Sequence, residues 1–478
     1  MQSDITANGV AAGQGARVLA PATLNEQRGD IIARLERLPL SRLHLRLAAI
    51  LSIGTFFDAF DAICIAVALT VIFTTLHIGF FDAGLVFSSA YIGQFVGAWG
   101  FGLLSERYGR KNAFVTALLL YGVLSIATAF AWNLQSLVAI RVVQGLGLGG
   151  EIPAAAVLIN EMLRSQKRGR ISMIYQTVFQ WGALLTPVIG LLFFNLFGQN
   201  LGWRLMFLFG GIPAFAAIYA WFALPESPRW LADRGRYDEA DEVVRAMESQ
   251  KWPEPLQAPQ RVAPPTLEHM RIGELFGGIY LRRTLMVWAA WLCSFFVAYG
   301  FSLWLPTLYV KIGGLPVNDA LALSIIPWIC NMSLMYLSAF VVDRIGRKPI
   351  FVFGFLAILV AGFGGAFIVE HWHTTVWQVL FGIGLMLGIG TSLCTTMLFT
   401  YTSELYPTRM RGLGVAAGSG MLRLAAVIAP ASVGTLLASG FGIGSVFVMF
   451  GFAGLIGAVV VAFFGIETKQ QSLETLSP

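Results

Sequence analysis

Asp58 and Asp61 stand in the middle of an apolar stretch long enough to cross a bilayer, and from Leu47 to Phe73 the chain carries no other charge. Asp58 lies twelve residues beyond Arg46, about 18 Å along a helix, which places it near the centre of a hydrocarbon core about 30 Å thick. A carboxylate at that depth costs at least ~2.5 kcal/mol. It persists where it faces a polar cavity, and its expected work is transport or proton traffic. The two acids are spaced i, i+3 and share one helix face. The competing reading is a hydrogen-bonded pair that braces neighbouring helices.

Three further charges fall inside apolar runs: Arg141, Glu151 and Arg423. Arg423 is twelve residues beyond Arg411 and so also sits near mid-membrane. A guanidinium there needs an acid partner or an anionic substrate, and its planar fork suits a carboxylate. A permanent ion pair with Asp58, Asp61 or Glu151 is the alternative, and a substrate anion can also exchange into such a pair. Arg141 has the same two readings, substrate contact or structural pairing. Asp58, Asp61 and Glu151 are the candidate proton carriers, because a buried carboxyl whose cationic partner changes during a cycle binds and releases a proton. For Glu151 the bland reading is a hydrogen bond to a neighbouring helix.

Trp288, Trp291, Phe295 and Tyr299 follow at spacings of 3, 4 and 4 and share a helix face. A flat ring would stack there, although interhelical or lipid packing accounts for the same pattern. Gln176, Gln180 and Asn331 are possible donors to a ring nitrogen or hydroxyl.

The elements that must position these residues are membrane helices. Hydrophobic residues make up 56% of the 478 and charged ones 12%, against about 25% charged in soluble domains. Twelve apolar runs are expected to span, near 46–73, 83–104, 113–131, 134–160, 171–198, 205–224, 284–310, 320–342, 349–369, 374–402, 412–440 and 441–466. Of the 32 Lys and Arg, all but Arg141, Arg204, Lys311 and Arg423 fall on one side, so both termini are expected in the cytoplasm. The net charge of +6 is then a topology signal, with no basic domain for nucleic acid. Cys64, Cys293, Cys330 and Cys394 lie in apolar runs without metal spacing or a disulfide framework. Residues 1–40 have no apolar segment of the kind a cleavable signal peptide needs, and the first twenty are expected to be disordered. No phosphate-binding loop occurs, since the glycines of QGLGLGGE at 144–151 sit within a span. No nucleophile–base set points to an enzyme, and no cofactor is implied.

The chain is duplicated. GLLSERYGRK at 102–111 recurs as AFVVDRIGRK at 339–348, Glu161 and Arg168 recur as Glu404 and Arg411, and PES at 225–227 has an echo in IET at 466–468. The offsets of 237, 243 and 241 imply two homologous six-helix halves, an architecture that places substrate between the halves near the midplane. The expected organisation is an arm (1–45), a first half (46–224), a linker with short helices broken by prolines (225–283), a second half (284–466) and a tail (467–478). Glu106, Arg107, Arg110, Lys111, Asp343, Arg344, Arg347 and Lys348 fall at cytoplasmic ends, joined by Glu161, Arg168, Glu404 and Arg411. Ion pairs among them between the halves are expected to close the inner side and hold an outward-open state. The alternative is that the basic residues only set topology.

These motifs resemble the major facilitator superfamily. GLLSERYGRK is similar to its loop 2–3 motif with Glu106 in place of Asp, DRIGRK at 343–348 to the second copy, and RVVQGLG at 141–147 to its span 4 arginine motif. PESPRWL at 225–231 and SELYPTRMRG at 403–412 resemble the sugar-porter-like branch. RLPLSRLHLRL, FFDAFD, GLGGEIP and MLRLAAVIAP look like the niacin-transporter group within it, and DAFD also resembles the DGxD of aromatic-acid:proton symporters. Span 7 lacks the glutamine pair usual in sugar porters. The resemblance covers about residues 40–468. It implies an all-α, twelve-helix transporter in a bacterial inner membrane, working as a monomer by alternating access. The substrate it implies is a small aromatic monocarboxylate, nicotinate first, taken up with a proton. A benzoate-type acid, an organic cation or sugar, and a non-transporting receptor are the alternatives.

Overall fold

The computed structural model describes residues 24–40, 42–163, 165–250, 272–372, 376–407 and 410–469, with the backbone alone at 24–26, 165–176, 272, 339 and 343. The first twenty residues, the prolines at 253–265 and the tail beyond 469 lie outside them. An arm helix, α1 (Leu24–Arg37), precedes the first half: α2 (Arg42–Thr75), α3 (Phe80–Tyr108), α4 (Arg110–Thr128), α5 (Leu134–Met162), α6 (Ser165–Phe197), α7 (Gln199–Phe209) and α8 (Ile212–Ala223). Two short helices follow, α9 (Pro228–Asp233) and α10 (Tyr237–Glu248). The second half holds α11 (Gly278–Ser302), α12 (Leu305–Lys311), α13 (Val317–Ile345), α14 (Arg347–Trp372), α15 (Trp377–Leu405), α16 (Arg411–Ala438) and α17 (Gly442–Phe464).

Eleven spans among the described residues are long and apolar enough to cross a membrane, α7 and α8 counting as one. The twelfth is α3, which has the length but not the hydropathy, because its sequence is rich in Gly, Ser and aromatic residues. Those small residues let backbones approach closely, as membrane helices do where lipid offers no hydrophobic drive. Gly93 rests on the Val142 carbonyl and Gly145, Gly97 on Leu146, and Gly149 on the Gln94 carbonyl, so α3 and α5 touch along their length. On its other side Gly84 meets Pro430 and Gly434 of α16. One helix thus joins its own half to the opposite one.

The halves meet toward the ends of the helices far from α1. There Ser88 Oγ donates to the Val427 carbonyl at 2.6 Å and Asn318 Nδ2 to Asn195 Oδ1 at 2.7 Å. Trp304 is the plug: its indole donates to the Pro430 carbonyl at 3.1 Å, and its ring lies against Phe80 and Phe87 of the first half, centroids 6.0 and 5.3 Å apart. The molecule is therefore sealed on the far face. On the terminal face α1 is clasped to the segment after the first half. Arg34 bonds Asp241 and Glu248 at 2.5 and 2.7 Å, Arg37 bonds Glu248, and Arg229 bonds Glu36 at 2.6 Å.

Candidate substrate and proton site

Two of the five mid-membrane charges pair with each other, although the Arg141 Nε is buried without a partner. Arg141 Nη1 on α5 lies 2.6 Å from Asp61 Oδ2 on α2, and both side chains are 2% exposed. Gln144 joins the pair, donating to Asp61 Oδ1 at 2.8 Å and accepting from Arg141 Nη1 at 3.0 Å. One turn of α5 supplies both groups, since Arg141 and Gln144 are three apart and share a face. The pairing alternative for Arg141 is thus the observed one. The sequence alone does not mark Gln144, although its i+3 spacing from Arg141 is the available signal.

Asp58, one turn earlier on α2, is buried, and among the described residues no guanidinium lies at bonding distance from it. It is in electrostatic reach of Asp61 and of Arg423 from α16. Arg423 donates Nη1 to its own helix, to Ser419 Oγ at 2.8 Å, and its Nε is buried without a partner. Among the described residues no carboxylate comes within ion-pairing distance of Arg423. The side chain is in electrostatic reach of Asp58 in the opposite half and of Tyr299 in its own. Two tyrosines cross the boundary between the halves: Tyr91 of α3 and Tyr299 of α11 meet edge to face with centroids 5.1 Å apart, and the Tyr91 hydroxyl is buried without a partner. Gln180 on α6 leaves a buried Oε1 without a partner.

Glu151 sits apart from these cations. It is fully buried, and neither carboxylate oxygen has a hydrogen-bond partner, with the Thr55 hydroxyl the nearest electrostatic help. Its carboxyl lies where a Cβ on Gly54 would stand, so Gly54 is what makes room for it.

The aromatic row on α11 divides. Tyr299 stacks on Phe295 at 6.0 Å and Phe295 on Trp291 at 5.5 Å, a continuous ladder. Trp291 is fully buried and donates its indole to Thr402 at 3.0 Å, so it is committed to packing. Trp288 lies edge-on to Phe276 near the terminal end, away from Asp58 and Arg423. Phe295 and Tyr299 remain half-buried next to the charged residues. Asn331 offers its backbone carbonyl to Ser392 at 3.4 Å. The Gln176 side chain lies outside the described residues.

On the terminal face the described ion pairs stay within one half in this conformation. Arg110 bonds Glu161 at 3.1 Å and Glu106 at 2.9 Å, and Arg347 bonds Glu404 at 3.1 Å. Arg411 donates to the Ser403 carbonyl at 2.9 Å, Arg107 is exposed, and Arg344 gives its carbonyl to Lys469. The side chains of Arg168 and Asp343 lie outside the described residues. The PES echo has a physical basis. Glu226 accepts the backbone N–H groups of Arg110 and Lys111 at 2.9 and 3.0 Å, and Glu467 accepts those of Arg347 and Lys348 at 3.0 Å. Each carboxylate crowds a glycine with positive φ, Gly109 (110°) or Gly346 (108°), where a side chain would be strained and would clash.

The model for "Sugar (and other) transporter" matches residues 48–478. The chain belongs to that transporter family, within the major facilitator superfamily. A relative described as niacin transporter NiaP, from Acinetobacter baylyi, is 32% identical over 94% of this chain and 99% of its own length. The inner membrane metabolite transport protein YdjE of Escherichia coli is 30% identical over 95% and 99%. Among solved structures, a D-xylose-proton symporter superposes with a TM-score of 0.70 at 19% identity, covering 89% of this chain and 98% of that one, which shows a shared fold. The inward-open form of the xylose transporter XylE from E. coli reaches 0.69 over 91% and 99%, at 19% identity. This member of the family is therefore a multi-pass membrane transporter, not an enzyme.

Proposed function

We propose that this transporter takes up a small aromatic monocarboxylate, nicotinate first, together with a proton, by alternating access across a bacterial inner membrane, as a monomer with both termini in the cytoplasm. Arg423 carries the reading: it is a guanidinium at mid-membrane with no acid at bonding distance among the described residues and a buried Nε unspent, in electrostatic reach of Asp58 in the other half. A carboxylate docked on its fork satisfies it. The half-buried rings of Phe295 and Tyr299 then receive a flat ring, and Gln180, whose Oε1 is buried without a partner, is a further candidate to meet it. The name of the relative from A. baylyi supports nicotinate within that class. Asp58, Asp61 and Glu151 are the acids available for the proton, and co-transport of one proton with one monocarboxylate is electroneutral. Arg141 serves through Asp61 rather than by touching the substrate. The terminal-face residues, from Glu106, Arg107 and Arg110 to Arg347, Glu404 and Arg411, close the inner side when the halves rock, exchanging partners within each half for partners across it.

The test is uptake of labelled nicotinate into proteoliposomes with an acidic exterior, with and without a protonophore, competed by benzoate, a hexose and an organic cation. Uptake that collapses with protonophore and yields only to aromatic acids supports the reading. Competition by the hexose or the cation instead would transfer the site to a neutral or cationic substrate. Absence of transport of any of these, with ligand binding intact, would favour a receptor.

A further inference from the structure

A groove of about 810 Å³ opens on the outside of the bundle, where α3 of the first half lies beside α16 and α17 of the second. Leu85 and Ile92, on its α3 wall, stand about 8 and 18 Å from the start of that helix. The groove therefore runs from the far leaflet to the centre of a hydrocarbon core about 30 Å thick. Leu85, Ile92, Ile428 and Phe452 form its rim, are between 40% and 52% exposed, and continue into the apolar side chains that face lipid. The space follows from the packing beneath it. Gly84 stands against the Pro430 carbonyl and Gly434, so α3 and α16 approach closely, and the small Ala431, Ser432 and Thr435 beside them leave the flank unfilled.

No charged side chain lines the groove, and its four hydroxyls are all committed to backbone carbonyls. Ser432, Thr435 and Ser445 donate within their own helices, to Ile428, Ala431 and Gly442, at 2.9, 2.8 and 2.8 Å. Ser88 donates across the seam to Val427 at 2.6 Å. A polar ligand would meet no free hydroxyl hydrogen here and would lose its hydration without replacement. We infer that the groove seats one acyl chain of a far-leaflet phospholipid, which bridges the two halves while the far face is closed. Its lining is apolar, its mouth opens into bilayer hydrocarbon, and its length along α3 is about 10 Å, enough for part of a chain. A partner helix crossing the membrane would instead follow α3 for about 30 Å. Because the walls belong to both halves, parting them at the far face divides the groove. A seated chain then favours the closed form by as much as its affinity differs between the two forms. The site lies outside the bundle and is independent of which substrate is carried.

The test places the whole protein, one copy per disc, in nanodiscs of phosphatidylethanolamine and phosphatidylglycerol doped with a phosphatidylcholine that carries a diazirine midway along one chain. After illumination, mass spectrometry of peptides locates the attached lipid. Labelling of the walls at 85–92 and 445–452 is expected to exceed that at the exposed Phe215 and Phe222 of α8 by about ten-fold, one decade of binding preference. Thr435→Trp, at an exposed position whose indole fills the groove from α16, should bring wall labelling down to the α8 level and leave α8 unchanged. Gly84→Trp should do the same by keeping the halves apart, since even a Cβ there meets the Pro430 carbonyl at 3.0 Å. Equal labelling of walls and α8 in wild type would make the groove ordinary lipid contact and overturn the inference, as would wall labelling that survives Thr435→Trp. Wall labelling that survives Gly84→Trp overturns the bridging of the halves. Wall labelling lost when each disc holds two copies would assign the surface to a second copy instead. A variant that loses the α8 labelling as well has misfolded. Ser445→Leu, filling the groove from α17, and Gly84→Val, with less bulk at the seam, then take the same readings.

Discussion

The two halves match each other at the terminal face and part company at the midplane. Near the termini each half repeats the same node: a glycine of positive φ, a helix whose first N–H groups are taken by a glutamate from the end of the half, and an arginine paired to a second glutamate one helix away. At mid-membrane the first half carries Asp58, Asp61, Arg141 and Glu151, whereas the second carries Arg423. Parts that hinge and latch serve both halves alike and stay duplicated. Parts that recognise one ion and one substrate are needed once, and they diverge. The contrast between Arg141 and Arg423 is the sharpest form of this difference. One guanidinium is spent on an acid and an amide of its own half, and the other is held out toward the opposite half.

The largest effect should come from breaking the spent one. Arg141→Ala leaves Asp61 buried without its cation and is expected to destabilise the protein by about 3–5 kcal/mol, the usual cost of orphaning a buried charge. Thermal melting in detergent would show it. The paired change of Asp61→Leu with Arg141→Leu should recover most of the loss. If Arg141→Ala melts like wild type, the pair is not a structural lock.

Arg423→Ala is expected to do the reverse, leaving the melting temperature nearly unchanged while weakening nicotinate binding by roughly ten- to hundred-fold, the worth of about 1.5–3 kcal/mol in charge-assisted hydrogen bonds. Arg423→Lys keeps the charge without the planar fork and should fall between. Equilibrium binding of labelled nicotinate separates the cases. Unimpaired binding by Arg423→Ala would remove the carboxylate clamp and make this guanidinium a structural one after all.

How much of this contrast was legible in the sequence depends on what carried each signal. The duplicated node was legible because it acts on backbone: a glutamate that caps a helix after a positive-φ glycine leaves the same letters at nearly the same offset twice. The α3 span was legible from length between charged ends, although its glycines, needed for contact with α5 and α16, lower its hydropathy. The partner of Arg141 was not legible. Asp58 and Asp61 share a face of α2, and only the register of α2 against α5 selects Asp61. The aromatic row shows the same limit from the other side. Periodicity put Trp288, Trp291, Phe295 and Tyr299 on one face, but a helix inside a bundle has neighbours all round. Trp291 found Thr402, Trp288 found Phe276, and only the other two border the charged site.

The duplicated nodes predict equal responses where the midplane predicts unequal ones. Glu226→Ala and Glu467→Ala each free two backbone N–H groups at a helix start, a cap worth about 1 kcal/mol with a further few tenths from the helix dipole. The two variants should lower the melting temperature alike, and both should slow uptake, since each loosens a hinge of the rocking motion. A large loss in one half with none in the other would show that the repeated geometry is a relic in the silent half.

The smallest effect lies in a feature that one half has and the other lacks among the described residues, the clasp of α1 on α10. Burial alone would push the Glu248 carboxyl up, but the hydrogen bonds and charges of Arg34 and Arg37 outweigh it and hold the carboxyl below its ordinary value. A carboxyl depressed by folding contributes stability that is present above its unfolded value and is lost as pH falls through the folded one. The clasp should therefore be intact at neutral pH and release only in acid, below the ordinary carboxyl range. Glu248→Gln should remove that dependence and cost no more than about 1 kcal/mol, the range of partly exposed pairs. Limited proteolysis of the arm across a pH series reads this directly. An arm cut equally fast at neutral and acid pH, in wild type and Glu248→Gln alike, would show that apolar packing holds α1 in place and that the first half needs no ionic clasp to carry its extra helices.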